Sequence, residues 1–83
     1  IVTVDGTEVS LTPKEFQLLR YLMENKNMVI SRDKLLESIW GYDYEGETRT
    51  VDVHIRMLRQ KLGQRGKMIE TVRGFGYRIG DVK

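Results

Sequence analysis

Residues 49–62 read Arg49-Thr50-Val51-Asp52-Val53-His54-Ile55-Arg56-Met57-Leu58-Arg59-Gln60-Lys61-Leu62, and Gly63 follows. At about 100° of turn per residue, Val51, Ile55, Leu58 and Leu62 fall in one narrow stripe. Arg49, Val53, Arg56 and Gln60 lie on the opposite side. Asp52 and Arg59 flank one edge of the stripe, and Thr50, His54, Met57 and Lys61 flank the other. The pattern predicts a helix over 49–62, stopped by Gly63, with a dry side to pack and a basic, hydrogen-bonding side to offer a partner.

That second side suits a DNA major groove. Arginine reaches phosphates or makes two bonds to guanine, while threonine and histidine donate to phosphate oxygens. Val53 is small enough to let the helix approach and can touch a thymine methyl. Each good base contact contributes about 1–3 kcal/mol of discrimination. A carboxylate facing phosphates is unfavourable unless paired, so Asp52 reads as an orienter of Arg49, Arg56 or a neighbour. The blander reading is a surface helix with Asp52 and Arg56 as a spaced ion pair. His54 likewise reads as a backbone contact or as a lone surface histidine.

Toward the C-terminus, Gly63–Lys67 is a connector. Residues 68–79 then read as a hairpin, Met68–Val72 and Tyr77–Ile79, around Arg73-Gly74-Phe75-Gly76. Arg73 starts a tight glycine turn, so it can project from the body, and a narrow minor groove attracts such an arginine. The glycines are not a nucleotide fingerprint, because no helix follows them.

Toward the N-terminus, residues 41–48 are polar, acidic and glycine-containing, and read as a loop. Ser31 caps a second helix with Leu35, Leu36, Ile39 and Trp40 as its apolar face and Gly41 as its stop. Met28-Val29-Ile30 is at most a strand fragment. The first helix starts at Thr12 as N-cap, Pro13 at its first position and Glu15 completing a capping box. Phe16, Leu19, Leu22 and Met23 are expected to face the core, with Leu18 beside them. Two short strands, Ile1–Val4 and Glu8–Leu11, flank an Asp5-Gly6 turn.

Eighty-three residues suit a single domain, 1–83. Because the chain begins at Ile1 rather than Met, it is expected to be a fragment of a longer protein. It has no cysteine and one histidine, which leaves no thiolate or histidine-built metal site, and no cofactor is expected. No nucleophile–base pair or phosphate loop supports an enzyme. No membrane span or secretory signal is visible, which fits a cytoplasmic protein. Residues 1–48 hold 5 Lys+Arg and 9 Asp+Glu, a net −4, and residues 49–83 hold 9 and 3, a net +6. Charge alone leaves open a polyanion-binding surface or an ordinary solvated one.

Several stretches resemble the OmpR/PhoB family of response-regulator effector domains. They are Leu11-Thr12-Pro13-Lys14-Glu15-Phe16-Gln17-Leu18-Leu19, Ser31-Arg32-Asp33-Lys34-Leu35-Leu36, Ile39-Trp40-Gly41, Arg49 through Arg56, Leu58 through Leu62, and Thr71-Val72-Arg73-Gly74-Phe75-Gly76-Tyr77. They span nearly the whole chain in order. The resemblance implies an α+β winged helix-turn-helix with short N-terminal antiparallel strands, three helices and a C-terminal β-hairpin wing. It implies that helix 49–62 enters the major groove of promoter DNA and that the hairpin reaches the adjacent minor groove. Arg49, Thr50, Val53, His54, Arg56 and Arg59 would then lie at the DNA interface, with Thr71, Arg73 and Tyr77 making wing-side contacts. In relatives the loop matching residues 41–48 can face RNA polymerase, and Asp43, Glu45 and Glu47 would suit a basic partner there. An ordinary solvated loop is the alternative.

The sequence departs from the family at three places. Met57 stands where some relatives carry a basic side chain. Phe75 is bulky and apolar at the wing tip, where it either packs under the hairpin or touches sugar. The chain also starts late, without the further strands and the receiver domain that usually precede such domains, so no phosphorylation site is nominated. The function expected is sequence-specific promoter recognition, as tandem copies on direct repeats once a receiver domain dimerises. The competing use of the fold is a protein-interaction module, which would expose apolar residues on the outer side of helix 49–62, where only Val53 and Met57 qualify. RNA fits less well, because the A-form major groove is too narrow for a helix.

Overall fold

A computed structural model describes residues 2–80. Strands β1 (Val2–Val4) and β2 (Thr7–Val9) form an antiparallel pair in the register Val2–Val9, Thr3–Glu8 and Val4–Thr7. Asp5 and Gly6 between them have φ of 51° and 83°, the two positive values that a two-residue hairpin turn matched to strand twist demands. That tight turn starts β2 at Thr7 instead of Glu8 and leaves Ser10-Leu11 to lead into the first helix. Ile1, expected in the first strand, lies outside the described residues.

Helix α1 spans Pro13–Glu24. Thr12 Oγ1 accepts from the Glu15 amide at 3.2 Å, and Glu15 Oε1 accepts from the Thr12 amide at 2.9 Å. The capping box is thus closed in both directions. Helix α2 (Arg32–Trp40) starts with Ser31 Oγ accepting from the Lys34 amide at 3.0 Å. Its C-terminal turn is held from outside, because Lys14 Nζ donates to the Ile39 carbonyl at 2.9 Å. Helix α3 spans Arg49–Leu62, the bounds its periodicity predicts. The connector after it winds into a 3₁₀ turn, Gly63–Met68.

A three-stranded antiparallel sheet closes the molecule in the spatial order β3 (Ile30–Ser31), β5 (Gly76–Ile79), β4 (Ile69–Val72). The wing hairpin β4–β5 is therefore tied to the segment between α1 and α2, through Ile30–Tyr77 and Ser31–Gly76 pairing. Gly76 permits this: a Cβ there would lie 2.0 Å from the Ile30 carbonyl oxygen.

The core draws on all three helices and this sheet. Leu18, Leu22, Leu35, Val51, Ile55 and Leu58 are fully buried, and Leu62, Ile39, Ile69 and Ile79 surround them. Each such side chain contributes roughly 1.5–3 kcal/mol on leaving water. The four-residue stripe of α3 is buried throughout. On α1 the expected face is turned by part of a turn. Phe16 and Met23 are 44% and 56% exposed, and Glu15 is buried with Leu18, Leu19 and Leu22. The cause is Lys61 of α3, whose Nζ lies 2.6 Å from Glu15 Oε1. With a cation and the Thr12 amide satisfying it, this carboxylate is held inside while Phe16 and Met23 flank the groove beside Val2. Among the described residues, no helix is long and apolar enough to cross a membrane.

Candidate nucleic-acid interface

Burial of Val51, Ile55, Leu58 and Leu62 leaves Arg49, Val53, Arg56 and Gln60 exposed on the outer side of α3. Arg49 has a side chain 79% exposed, and its Nε lies 4.0 Å from the equally exposed Glu47 carboxylate, a distance and setting that contribute little. Among the described residues, Arg56 has neither a hydrogen bond nor an ion pair. Arg73 at the wing tip has none either. It occupies a turn closed by the Phe75 amide donating to the Val72 carbonyl at 2.9 Å. Gly74 supplies the left-handed φ of 81° that this turn requires. Phe75 is 71% exposed, so it does not pack under the hairpin.

A cleft of about 390 Å³ separates the wing from the helices. Ser31, Arg32 and Asp33 at the start of α2, Thr48 and Asp52 at the start of α3, and the wing residues Thr71–Tyr77 line it. Its floor is crossed by the hydrogen bonds of Asp52. Asp52 Oδ2 accepts from Arg32 Nη2 at 2.6 Å, and Oδ1 accepts from the Tyr77 hydroxyl at 2.6 Å. Asp52 is thus an orienter, as its charge suggests, but its partners are neither Arg49 nor Arg56. They come from α2 and β5.

Tyr77, expected as a wing-side contact, is instead buried at 7% exposure. It sits on the central strand of its sheet with its ring toward the core, and a buried hydroxyl must find an acceptor inside. Burial and the hydrogen bond to Asp52 push its pKa up to about 12, so it remains a neutral donor. Arg59 also turns inward. Its Nε and Nη2 donate to the Ile69 carbonyl at 3.0 and 2.7 Å, and Nη2 donates to Thr71 Oγ1 at 2.8 Å. Its guanidinium carbon lies 5.7 Å from the Tyr77 ring centre. Thr71 is exposed and accepts from Arg59, so its hydroxyl proton is free to point outward.

The other edge of α3 faces α2. His54 Nδ1 lies 2.8 Å from the Thr50 carbonyl. A carbonyl only accepts, so Nδ1 carries the proton of that contact. The ring stands edge-on to Trp40 at 4.8 Å between centres. Beyond Trp40, the 41–48 loop exposes Asp43, Glu45 and Glu47, with Tyr42 89% exposed among them.

The structure therefore gathers Arg49, Val53, Arg56, Thr71 and Arg73 as outward-facing groups. Arg59, Tyr77 and His54 have intramolecular partners. Sequence reasoning missed Arg32 as Asp52's partner. That Asp52 and Arg59 share an edge of α3 points to the wing, which both touch, and carries no signal for Arg32 on α2.

Residues 6–79 match the family described as "Transcriptional regulatory protein, C terminal". Over 82 residues the chain is 55% identical to a probable transcriptional regulatory protein of Picosynechococcus sp., covering 95% of this chain and 33% of that protein. Over 80 residues it is 56% identical to the response regulator ArlR of Staphylococcus aureus, covering 94% and 36%. It thus spans about a third of the length of these curated relatives. Solved structures share the fold, and three illustrate it. The DNA-binding domain of Bacillus subtilis CssR aligns with a TM-score of 0.82 at 39% identity, covering 90% of this chain and 84% of that one. The response regulator DrrB, a Thermotoga maritima OmpR/PhoB homologue, gives 0.81 at 32%, covering 92% and 36%. The Klebsiella pneumoniae RstA DNA-binding domain in complex with the RstA box gives 0.78 at 36%, covering 90% and 77%. The chain belongs to the transcriptional regulatory C-terminal family, as a winged-helix DNA-binding effector domain of the OmpR/PhoB type of response regulator.

Proposed function

We propose that this domain recognises double-stranded promoter DNA by laying α3 in a major groove and the 68–79 wing in the adjacent minor groove. The observation that carries the reading is a set of arginines. Arg49 and Arg56 on the outer side of α3 and Arg73 at the wing tip are exposed and essentially unpaired. Desolvating such cations against phosphate costs no internal partner, and it releases counterions. Arg49, Val53 and Arg56 face base edges and backbone. Thr50 and His54 face the backbone, His54 through its outer nitrogen. Arg73 enters the minor groove, and Thr71 offers its hydroxyl to a phosphate beside it. Arg59 and Tyr77 support the interface from behind. That the similar RstA domain is solved in complex with the RstA box supports DNA as the partner by analogy.

In the whole protein, the domain works with a receiver domain, in tandem copies on direct repeats and in the cytoplasm. The exposed acids Asp43, Glu45 and Glu47 beside Tyr42 present the 41–48 loop to RNA polymerase. Binding titrations over a range of salt test the DNA reading. Arg73→Ala and Arg56→Ala should each weaken promoter affinity about 5–100-fold. Each should lower the slope of log affinity against log salt by about one where a phosphate contact is lost. Two variants that bind like the parent would remove the interface assignment.

A further inference from the structure

The geometry points to Asp52 and Tyr77 as a positioning pair, which sets the wing's angle to α3 so that Arg73 and the helix engage DNA as one unit. The inference rests on the docking proposed above. Asp52 joins three elements through its two oxygens: α3 carries it, β5 donates Tyr77 Oη at 2.6 Å, and the first residue of α2 donates Arg32 Nη2 at 2.6 Å. Seven residues along the same edge of α3, Arg59 grips the other wing strand through the Ile69 carbonyl and Thr71 Oγ1. Seven residues are about 10 Å of helix. Two attachments that far apart, one to each strand, fix the rotation of a hairpin in a way that a single one cannot.

Arg73 itself makes no hydrogen bond or ion pair among the described residues, so its position follows the Val72–Phe75 turn, the β3–β5 pairing at Gly76 and the side-chain attachments of the wing to α3. It lies two residues beyond Thr71, the residue paired with Tyr77, about 7 Å further along the wing. A tilt of about 10° at that level would move the backbone of the tip by about 1 Å, and the end of the long arginine side chain by more, enough to misplace a guanidinium in a narrow groove. Arg32 completes the device by neutralising Asp52, so the carboxylate can stand beside phosphates without repelling them. Tyr77 is the informative member, because removing its hydroxyl leaves its ring packed.

The test is a double-mutant cycle in the intact protein on a bound promoter fragment, with thermal unfolding run alongside. Tyr77→Phe should weaken binding about 3–10-fold in the parent and less than about 2-fold in Arg73→Ala, and it should lower the salt slope as Arg73→Ala does. Asp52→Asn, which removes the charge that holds Arg32, should show the same dependence on Arg73. If Arg73→Ala weakens binding but Tyr77→Phe costs as much with Arg73 as without it, the coupling is overturned while the docking stands. If Tyr77→Phe leaves parental binding unchanged, the coupling is also overturned. If Arg73→Ala binds like the parent, the wing's placement fails and the coupling falls with it.

Discussion

Glu15 holds two positions at once. One of its oxygens takes the Thr12 amide that starts α1 and the Lys61 ammonium of α3, and its side chain is only 4% exposed. Burial pushes its carboxyl up, but the hydrogen bonds from Lys61 and Thr12 outweigh burial and hold it below the ordinary carboxylate range. The stability it supplies is therefore complete above that range and is lost as pH falls through the depressed value. Glu15→Ala breaks a buried pair and a cap together and should cost about 3–5 kcal/mol in urea unfolding at neutral pH. Glu15→Gln should cost less at neutral pH and flatten the acid side of the stability profile. An acid limb unchanged in Glu15→Gln would show that the Lys61 pair contributes nothing. Tyr77 has the opposite sign. Its pKa is raised from 10.0 to about 12, so its contribution is whole below pH 10 and disappears as pH rises through about 12. Tyr77→Phe should lack that alkaline step when unfolding is followed by circular dichroism.

Among the elements, α3 and the wing depend on different kinds of local information. The bounds of α3 were legible because its apolar stripe and Gly63 are signals within a few turns, as are Thr12, Ser31 and Gly41 for the other helices. The face of α1 was not, because Glu15 is drawn inward by a lysine 46 residues away, and no periodicity rule buries a glutamate ahead of a phenylalanine. The site divides the same way. The outward side of α3 follows from its wheel, whereas the partners of Asp52 are 20 and 25 residues distant and needed the fold. Two glycines of the wing make the contrast measurable. At Gly74 a Cβ meets nothing within 4 Å and only the positive φ resists it, so Gly74→Ala should cost about 1 kcal/mol. Gly76→Ala sets a methyl against the Ile30 carbonyl and should cost about 3 kcal/mol or more. Equal losses in chemical denaturation would show that the β3–β5 approach is not what holds the wing down.

Over the described residues, four of the eight arginines are already paired closely with acids. Arg20 pairs with Glu24, Arg32 with Asp52, Arg65 with Asp5 and Arg78 with Glu70. These acids thus offset much of the positive charge outside the proposed interface and leave Arg49, Arg56 and Arg73 to act on a polyanion. Exposed pairs of this kind contribute little to folding and are screened by salt. Salt should therefore separate stability from binding. At a promoter concentration of about 100 Kd, the complex gains roughly 2.7 kcal/mol, which should raise the Tm of this domain by about 15 °C. That rise should shrink toward nothing when salt is raised to several times its starting concentration, with the Tm of free protein little changed. A promoter-induced rise that survives the added salt would mean that charge is not the main attraction.

The central place of β5 in its sheet bears on how the chain matures. Ile30 leaves the ribosome 46 residues ahead of Gly76, the start of the strand that must lie between β3 and β4. Until β5 emerges, both neighbouring strands lack that partner and Asp52 lacks its tyrosine. A nascent or prematurely terminated chain that already holds every residue of α3 would still be without a fixed wing. On the docking proposed above, competence to occupy an operator arrives only with β5, so copies that stop short of it would be poor competitors for the site.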